Sequence, residues 1–213
     1  KNWAGRIVWW VMLAGLLVTF SRSAWLAAGL TVLPLGIWLY RQYADLRKPL
    51  LIILGAAAGL GLIGGAVLLA PILSRFNIFS SFSEYTSISA RGELMNLAIQ
   101  SIRQNPVTGI GAGNFPLLTL HSNVHDAAHS VHNVSLLLGA EIGIVGAALW
   151  YWLWMGPIFS VVKGLRSVNA QTLALAAAWF AIGLIALWDS YPWSLEAGRM
   201  LSVTLLAWLV NQS

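Results

Sequence analysis

His132-Asn133-Val134-Ser135-Leu136-Leu137-Leu138-Gly139-Ala140-Glu141-Ile142-Gly143 runs on into Ile144-Val145-Gly146-Ala147-Ala148-Leu149-Trp150-Tyr151-Trp152-Leu153-Trp154-Met155. Between Val134 and Met155 the single acid or base is Glu141. An apolar run of this length reads as a helix crossing a bilayer, whose hydrocarbon layer needs roughly 20 residues. The same stretch opens with the last of the four histidines, His121, His125, His129 and His132, which are the only ones in the chain. A titratable cluster therefore lies at the mouth of a long apolar helix, where chemistry at a membrane surface would be placed.

The rest of the chain agrees with that class. Of its 213 residues 58% are apolar and only 9% charged, against roughly a quarter charged in soluble domains. Most of the basic residues behind the net charge of +5 lie in short loops between apolar runs. Membrane topology predicts that placement, and nucleic-acid binding is excluded. With no cysteine there is neither a disulfide framework nor a thiolate metal site. The chain starts at Lys1 rather than methionine, so it is expected to be a fragment of a longer membrane protein. A signal peptide over residues 1–23 is set aside because the apolar pattern resumes at Ala24-Trp25-Leu26 and continues to Tyr40.

Six segments suit transmembrane helices: Arg6–Phe20, Ser23–Tyr40, Leu50–Ala70, Val134–Met155, Thr172–Trp188 and Arg199–Val210. Gly55, Gly59, Gly61, Gly64 and Gly65 in the third, and Gly139, Gly143 and Gly146 in the fourth, predict close helix packing. Lys1 and Arg6, then Arg41, Arg47 and Lys48, then Lys163 and Arg166 fall in alternate loops, which should be cytoplasmic. The expected fold is all-α and polytopic. Three helices lie in residues 1–70, a long outward loop in 71–133, and three helices in 134–213.

Within the outward loop, Leu94, Leu97, Ala98 and Ile102 recur at helical spacing. They predict an amphipathic surface helix from Ser89, its N-cap, to Asn105-Pro106. The following Thr108-Gly109-Ile110-Gly111-Ala112-Gly113-Asn114-Phe115 could offer backbone N–H groups to a phosphate. No strand precedes it and no Lys-Ser/Thr follows, so a glycine-rich turn is the better reading.

Arg22 stands at the outer start of the second helix, and Arg91 in the first turn of the expected surface helix. A cation there opposes the helix dipole, at about 0.3–1 kcal/mol. Free N–H groups beside a guanidinium fork would, however, hold a phosphate bidentately. Two such placements on one side point to an anionic ligand. The histidine spacing would align all four rings on one helical face, an array suited to zinc. Ser122-Asn123 and Ser130 interrupt the helix it needs, and no metal is expected. His132 differs because it opens a helix, whose N-terminus disfavours imidazolium and suits a neutral general base. Glu141, about half a turn off the His132 face, reads as a packing or supporting group with a basic or hydroxyl partner. Asp189, Tyr191, Glu196 and Arg199 form a second outer polar cluster.

Taken in order, these pieces resemble one family. Thr19-Phe20-Ser21-Arg22-Ser23-Ala24-Trp25-Leu26-Ala27 is similar to the T-x-S-R-[SG]-x-x-x-[AG] segment of the O-antigen ligase and polymerase family. Arg91 with Asn105-Pro106-Val107-Thr108-Gly109-Ile110-Gly111 resembles its R…hP-hh-G-h-G element. His132-Asn133 with Glu141-Ile142-Gly143 and Gly146 resembles its HN-x-hL…E-x-G-hh-G stretch, and Trp188-Asp189-Ser190-Tyr191-Pro192 its late outer loop. His121, His125 and His129 are not part of that pattern.

The resemblance implies the C-terminal catalytic portion of a glycosyltransferase in the bacterial inner membrane, working on the periplasmic face. Its donor would be a saccharide on undecaprenyl diphosphate, and its acceptor a sugar hydroxyl on lipid A core or a growing glycan. Arg22 and Arg91 would hold the diphosphate, and His132 would take the acceptor proton. Asn133, Asp189, Tyr191 and Arg199 would contact substrate. No cofactor or metal is implied, and inversion at the anomeric carbon is expected. The competing class is a solute transporter, because some relatives are assigned to bicarbonate uptake. A transporter would place ionisable or broken-helix sites near mid-bilayer, where only Glu141 qualifies. A non-catalytic scaffold would leave Arg22, Arg91 and His132 without a reason to share a side.

Overall fold

The computed structural model describes residues 3–19, 21–67, 82–122, 124, 129–164 and 168–212. Every regular element among them is a helix: α1 (Trp3–Val18), α2 (Arg22–Gln42), α3 (Arg47–Val67), α4 (Phe82–Gln104), α5 (Phe115–Leu120), α6 (Val134–Lys163), α7 (Ala170–Ala186), α8 (Tyr191–Ser194) and α9 (Glu196–Gln212). Each of the six expected apolar segments overlaps helix in its described residues. Two of these, α2 and α6, are long and apolar enough to cross a membrane, while Ile7–Val18 and α7 are apolar but shorter. The chain divides into compact units of residues 1–85 and 86–213. Most of the segment expected to be one outward loop thus folds with the helices that follow it.

In the first unit α1, α2 and α3 pack on one another, yet Ala27 and Thr31 are the only buried residues among those described there. Leu26, Leu30, Val32, Leu33 and Ile37 of α2, and Leu51 and Ile52 of α3, are exposed. An apolar surface this continuous is foreign to a protein in water and natural to one in lipid. The turn into α3 is closed by Arg47, whose Nε donates to Tyr40 O at 3.1 Å while its guanidinium lies 5.4 Å from the Tyr40 ring centre. The close packing expected of the α3 glycines is not made at Gly55 and Gly59, where an added methyl would meet open space.

The second unit has a true core. Leu94 and Ala98 of α4, Phe115 of α5, Val131, and Leu137 and Ala140 of α6 bury against one another. The apolar stripe read as surface-facing therefore packs on protein. The helix also starts at Phe82, not at Ser89, which places Arg91 about two and a half turns inside it. Serine and threonine lower helix propensity by only a few tenths of a kcal/mol. That is too little to stop a helix whose next turns bury Leu94 and Ala98 completely.

The fourth apolar run is not one helix. At Ile142 (φ −125°, ψ 15°) and Gly143 (φ 79°, ψ 179°) α6 breaks into an upper arm, 134–141, and a lower arm, 144–163. The second angle pair is open essentially only to glycine. Residues 106–111 fill the break: Ile110 N donates to Ala140 O (2.9 Å), Gly111 N to Glu141 O (2.9 Å), and Ile144 N to Pro106 O (2.8 Å). Every hydrogen bond named replaces one the continuous helix would have made, so the break leaves these groups satisfied. A methyl on Gly109 would collide with the Glu141 carbonyl, and one on Gly143 with Val107 O. Below the break, α6 and α7 join through indoles. Trp179 Nε1 donates to Trp154 O at 3.0 Å, and Trp150 lies 6.4 Å from Trp179 between ring centres while standing edge-on to Trp193 of α8 at 6.1 Å.

Candidate active site

Arg91, His132, Asn133, Glu141, Asp189, Tyr191 and Arg199 fall in the second unit, whereas Arg22 lies in the first. Arg22 is placed by its neighbours' hydrogen bonds. Thr19 Oγ1 donates to Leu16 O at 2.7 Å, and Trp25 Nε1 donates to the same carbonyl at 2.8 Å, which closes the end of α1. Ser21 Oγ accepts from Ala24 N at 3.3 Å and caps α2. Arg22 is thus the first helical residue, as expected. Arg91 is not at a helix start, so the free N–H groups anticipated beside it are absent. Its Nε is closed off from solvent without a hydrogen-bond partner among the described residues.

His132 sits just before α6. Asn133 caps that helix, Oδ1 accepting from Leu136 N at 2.8 Å, while its Nδ2 donates to Leu187 O at 2.9 Å. One amide thereby ties the start of α6 to the end of α7. That tie brings Asp189 beside the imidazole, with His132 Nδ1 3.5 Å from Asp189 Oδ1. The separation is long for a hydrogen bond and close enough for electrostatic pairing. Nδ1 is closed off from solvent, yet the side chain keeps 28% exposure. The accessible part of the ring is therefore its other edge.

Burial alone would raise the Asp189 carboxyl, but contact with His132 and the Ser190 and Tyr191 N–H groups hold it below its ordinary 3.8. Ser190 N donates to Asp189 Oδ1 at 2.8 Å. The phenol of Tyr191 is raised, by burial first and then by the Asp189 charge.

Glu141 is 5% exposed and its partner is neither basic nor a hydroxyl: Oε1 accepts from Phe115 N at 3.2 Å. The carboxylate thus holds the first N–H of α5 and anchors the glycine-rich segment a second time. The amides of Ile110 and Gly111 are spent on α6 carbonyls, which leaves neither for a phosphate. The histidines among the described residues do not share a helical face. His121 ends α5, its Nδ1 2.8 Å from Leu117 O, and residues 129–133 are not helical. His125 lies outside the described residues. Among the described residues no three metal-ligating side chains converge.

A cavity of about 260 Å³ opens beside this site, with Gly113, Ser130, Glu141, Trp193, Ser194 and Arg199 in its walls. Sequence reasoning missed Ser130, Trp193 and Ser194. The one signal was their adjacency to His132 and to the Asp189–Tyr191 loop.

A family model described as O-antigen ligase matches residues 7–151. That span includes Arg22, Arg91, His132, Asn133 and Glu141, and ends before Asp189. No curated protein matches the chain, and no solved structure does.

Proposed function

The chain belongs to the O-antigen ligase family, and on that premise we propose that it is a membrane glycosyltransferase. It moves a glycan from undecaprenyl diphosphate to an acceptor hydroxyl on lipid A core or on a growing glycan, at the periplasmic face of the bacterial inner membrane. The observation that carries this reading is the His132–Asp189 pair. A carboxylate at Nδ1 holds the imidazole in the tautomer that leaves Nε2 unprotonated, and the accessible ring edge is the one an acceptor can reach. His132 then takes the hydroxyl proton as the oxygen attacks the anomeric carbon. The bond to the diphosphate breaks on the opposite face, with inversion.

Arg22 and Arg91 neutralise the departing diphosphate. For Arg91 the support is now its enclosed, unpartnered Nε rather than a helix terminus. Asn133 has both ends of its amide engaged by the protein. Its support for the site is therefore through position, while Tyr191 and Arg199 are left to contact substrate. A broken helix beside a carboxylate is also what a transporter would use. Here the break is filled by residues 106–111 and serves the loop instead of an ion.

The test is transfer from a diphosphate-linked glycan lipid to acceptor by the parent protein in membranes. His132→Ala should lower the turnover about 10²–10⁴-fold at unchanged membrane level. Retention of transfer within twofold would end the assignment.

A further inference from the structure

The cavity at the α6 break sets Glu141, which the proposed transfer step does not use, beside Arg199, whose substrate contact was left without a location. Glu141 gives one carboxylate oxygen to Phe115 N, and the other has no partner among the described residues although the side chain lines the cavity. Arg199 lines it too, likewise without a side-chain partner among the described residues, and the two are not ion-paired. Ser130 and Ser194 add hydroxyls that both donate and accept. The Trp193 indole supplies an apolar wall, fixed by its edge-on contact with Trp150.

Electrostatics narrows the occupant. An anion is repelled by Glu141 and a cation by Arg199, while an apolar guest would leave both charges desolvated and unpaired. A neutral ring rich in hydroxyls satisfies the carboxylate as donor and the guanidinium as acceptor, and lays its C–H face on an indole. A volume of about 260 Å³ falls below the roughly 300–1,000 Å³ of pockets that hold drug-sized ligands, so it admits one ring and not an oligosaccharide. We propose that this cavity is a monosaccharide subsite in which Glu141 and Arg199 grip the hydroxyls of a single sugar ring. His132 is not among its walls. The ring it holds is therefore a neighbour of the reacting unit, bound next to the base and not under it. That role in transfer rests on the proposed reaction; the binding itself does not.

The experiment is saturation-transfer NMR on the full chain in nanodiscs, with glucose, galactose, rhamnose and N-acetylglucosamine as probes and inorganic phosphate as the anionic control. At least one sugar should give a saturable signal at millimolar concentration, and phosphate none. Glu141→Gln keeps an oxygen for the Phe115 N–H while replacing the other oxygen with a donor. Arg199→Met removes the guanidinium from an exposed position. Each should weaken sugar binding roughly tenfold or more. Should Glu141→Gln not fold, Arg199→Met still decides. In transfer assays, a rise in the acceptor KM assigns the ring to the acceptor, and a rise in the donor KM assigns it to the donor glycan.

Absence of any sugar signal, preference for phosphate, or binding unchanged in the folded variants would overturn the subsite. Should sugar binding fall in the variants while His132→Ala keeps transfer, the subsite stands and the reaction does not. If His132→Ala abolishes transfer and no variant alters sugar binding, the reaction stands and the subsite does not.

Discussion

At the residue scale the site turns on His132 and Asp189, which lie far apart in sequence and 3.5 Å apart at their nearest side-chain atoms. Asp189→Asn keeps the shape and removes the charge that orients the ring. It should lower turnover about ten- to a hundredfold, less than loss of the imidazole itself, with little change in KM. The same carboxyl carries a pH signature. Its folded pKa is depressed, so the stability it contributes is present above the ordinary carboxylate value near 3.8 and is lost as pH falls through the lower folded value. The difference in thermal unfolding midpoint between wild type and Asp189→Asn should not shrink from neutrality to about pH 4 and should shrink below it. A difference that instead shrinks between pH 7 and 5 would assign the titration to another group. Asn133 belongs at this scale too: its amide spans α6 and α7, so in the proposed reaction it would act through the His132–Asp189 spacing.

At the element scale the broken helix and the segment that fills it form one device. The glycines at 109 and 143 are required by different physics: at 143 by a backbone region essentially reserved for glycine, and at both by contact with backbone too close for any side chain. Gly143→Ala should destabilise the folded protein by about 1–3 kcal/mol, read as a fall in midpoint of about 2–4 °C per kcal/mol. Gly55→Ala, at an open position in α3, should leave the midpoint unchanged or raise it. Equal effects at the two positions would contradict the filled break. Because residues 106–111 and Phe115 are bonded to the upper arm that begins next to His132, Gly143→Ala should also lower transfer beyond what its stability loss explains.

At the scale of the whole molecule, α6 has 30 residues, about 45 Å if straight, against a hydrocarbon layer of about 30 Å. The lower arm, 144–163, is about 30 Å long and suffices alone. The upper arm, with Glu141 and the cavity, is then free to stand in the polar layer at a membrane surface. The absence of cysteine makes this directly measurable. A membrane-impermeant maleimide should label Thr108→Cys, which adjoins the break, on intact spheroplasts. Lys163→Cys, at the far end of α6, should be labelled only after lysis. The reverse pattern would place the site on the cytoplasmic side.

Composition and apolar run length were enough for the sequence to determine an all-helical fold and the position of each apolar helix, because exclusion from water depends on local residue type summed along a segment. Short motifs pinned Arg22 to a helix start, because Ser21 caps within its own turn. What tertiary structure alone decided involves partners distant in the chain. It paired Asp189 with His132, gave Glu141 a backbone amide instead of a cation, and buried the α4 stripe in protein. It also moved the start of α4 seven residues upstream of Ser89 and broke α6 where an unbroken apolar run suggested none. Each depends on hydrogen bonds or contacts between segments that no periodicity encodes. An apolar stripe reads the same whether lipid or protein covers it, and a glycine in a helix reads as packing until the backbone that approaches it is in place.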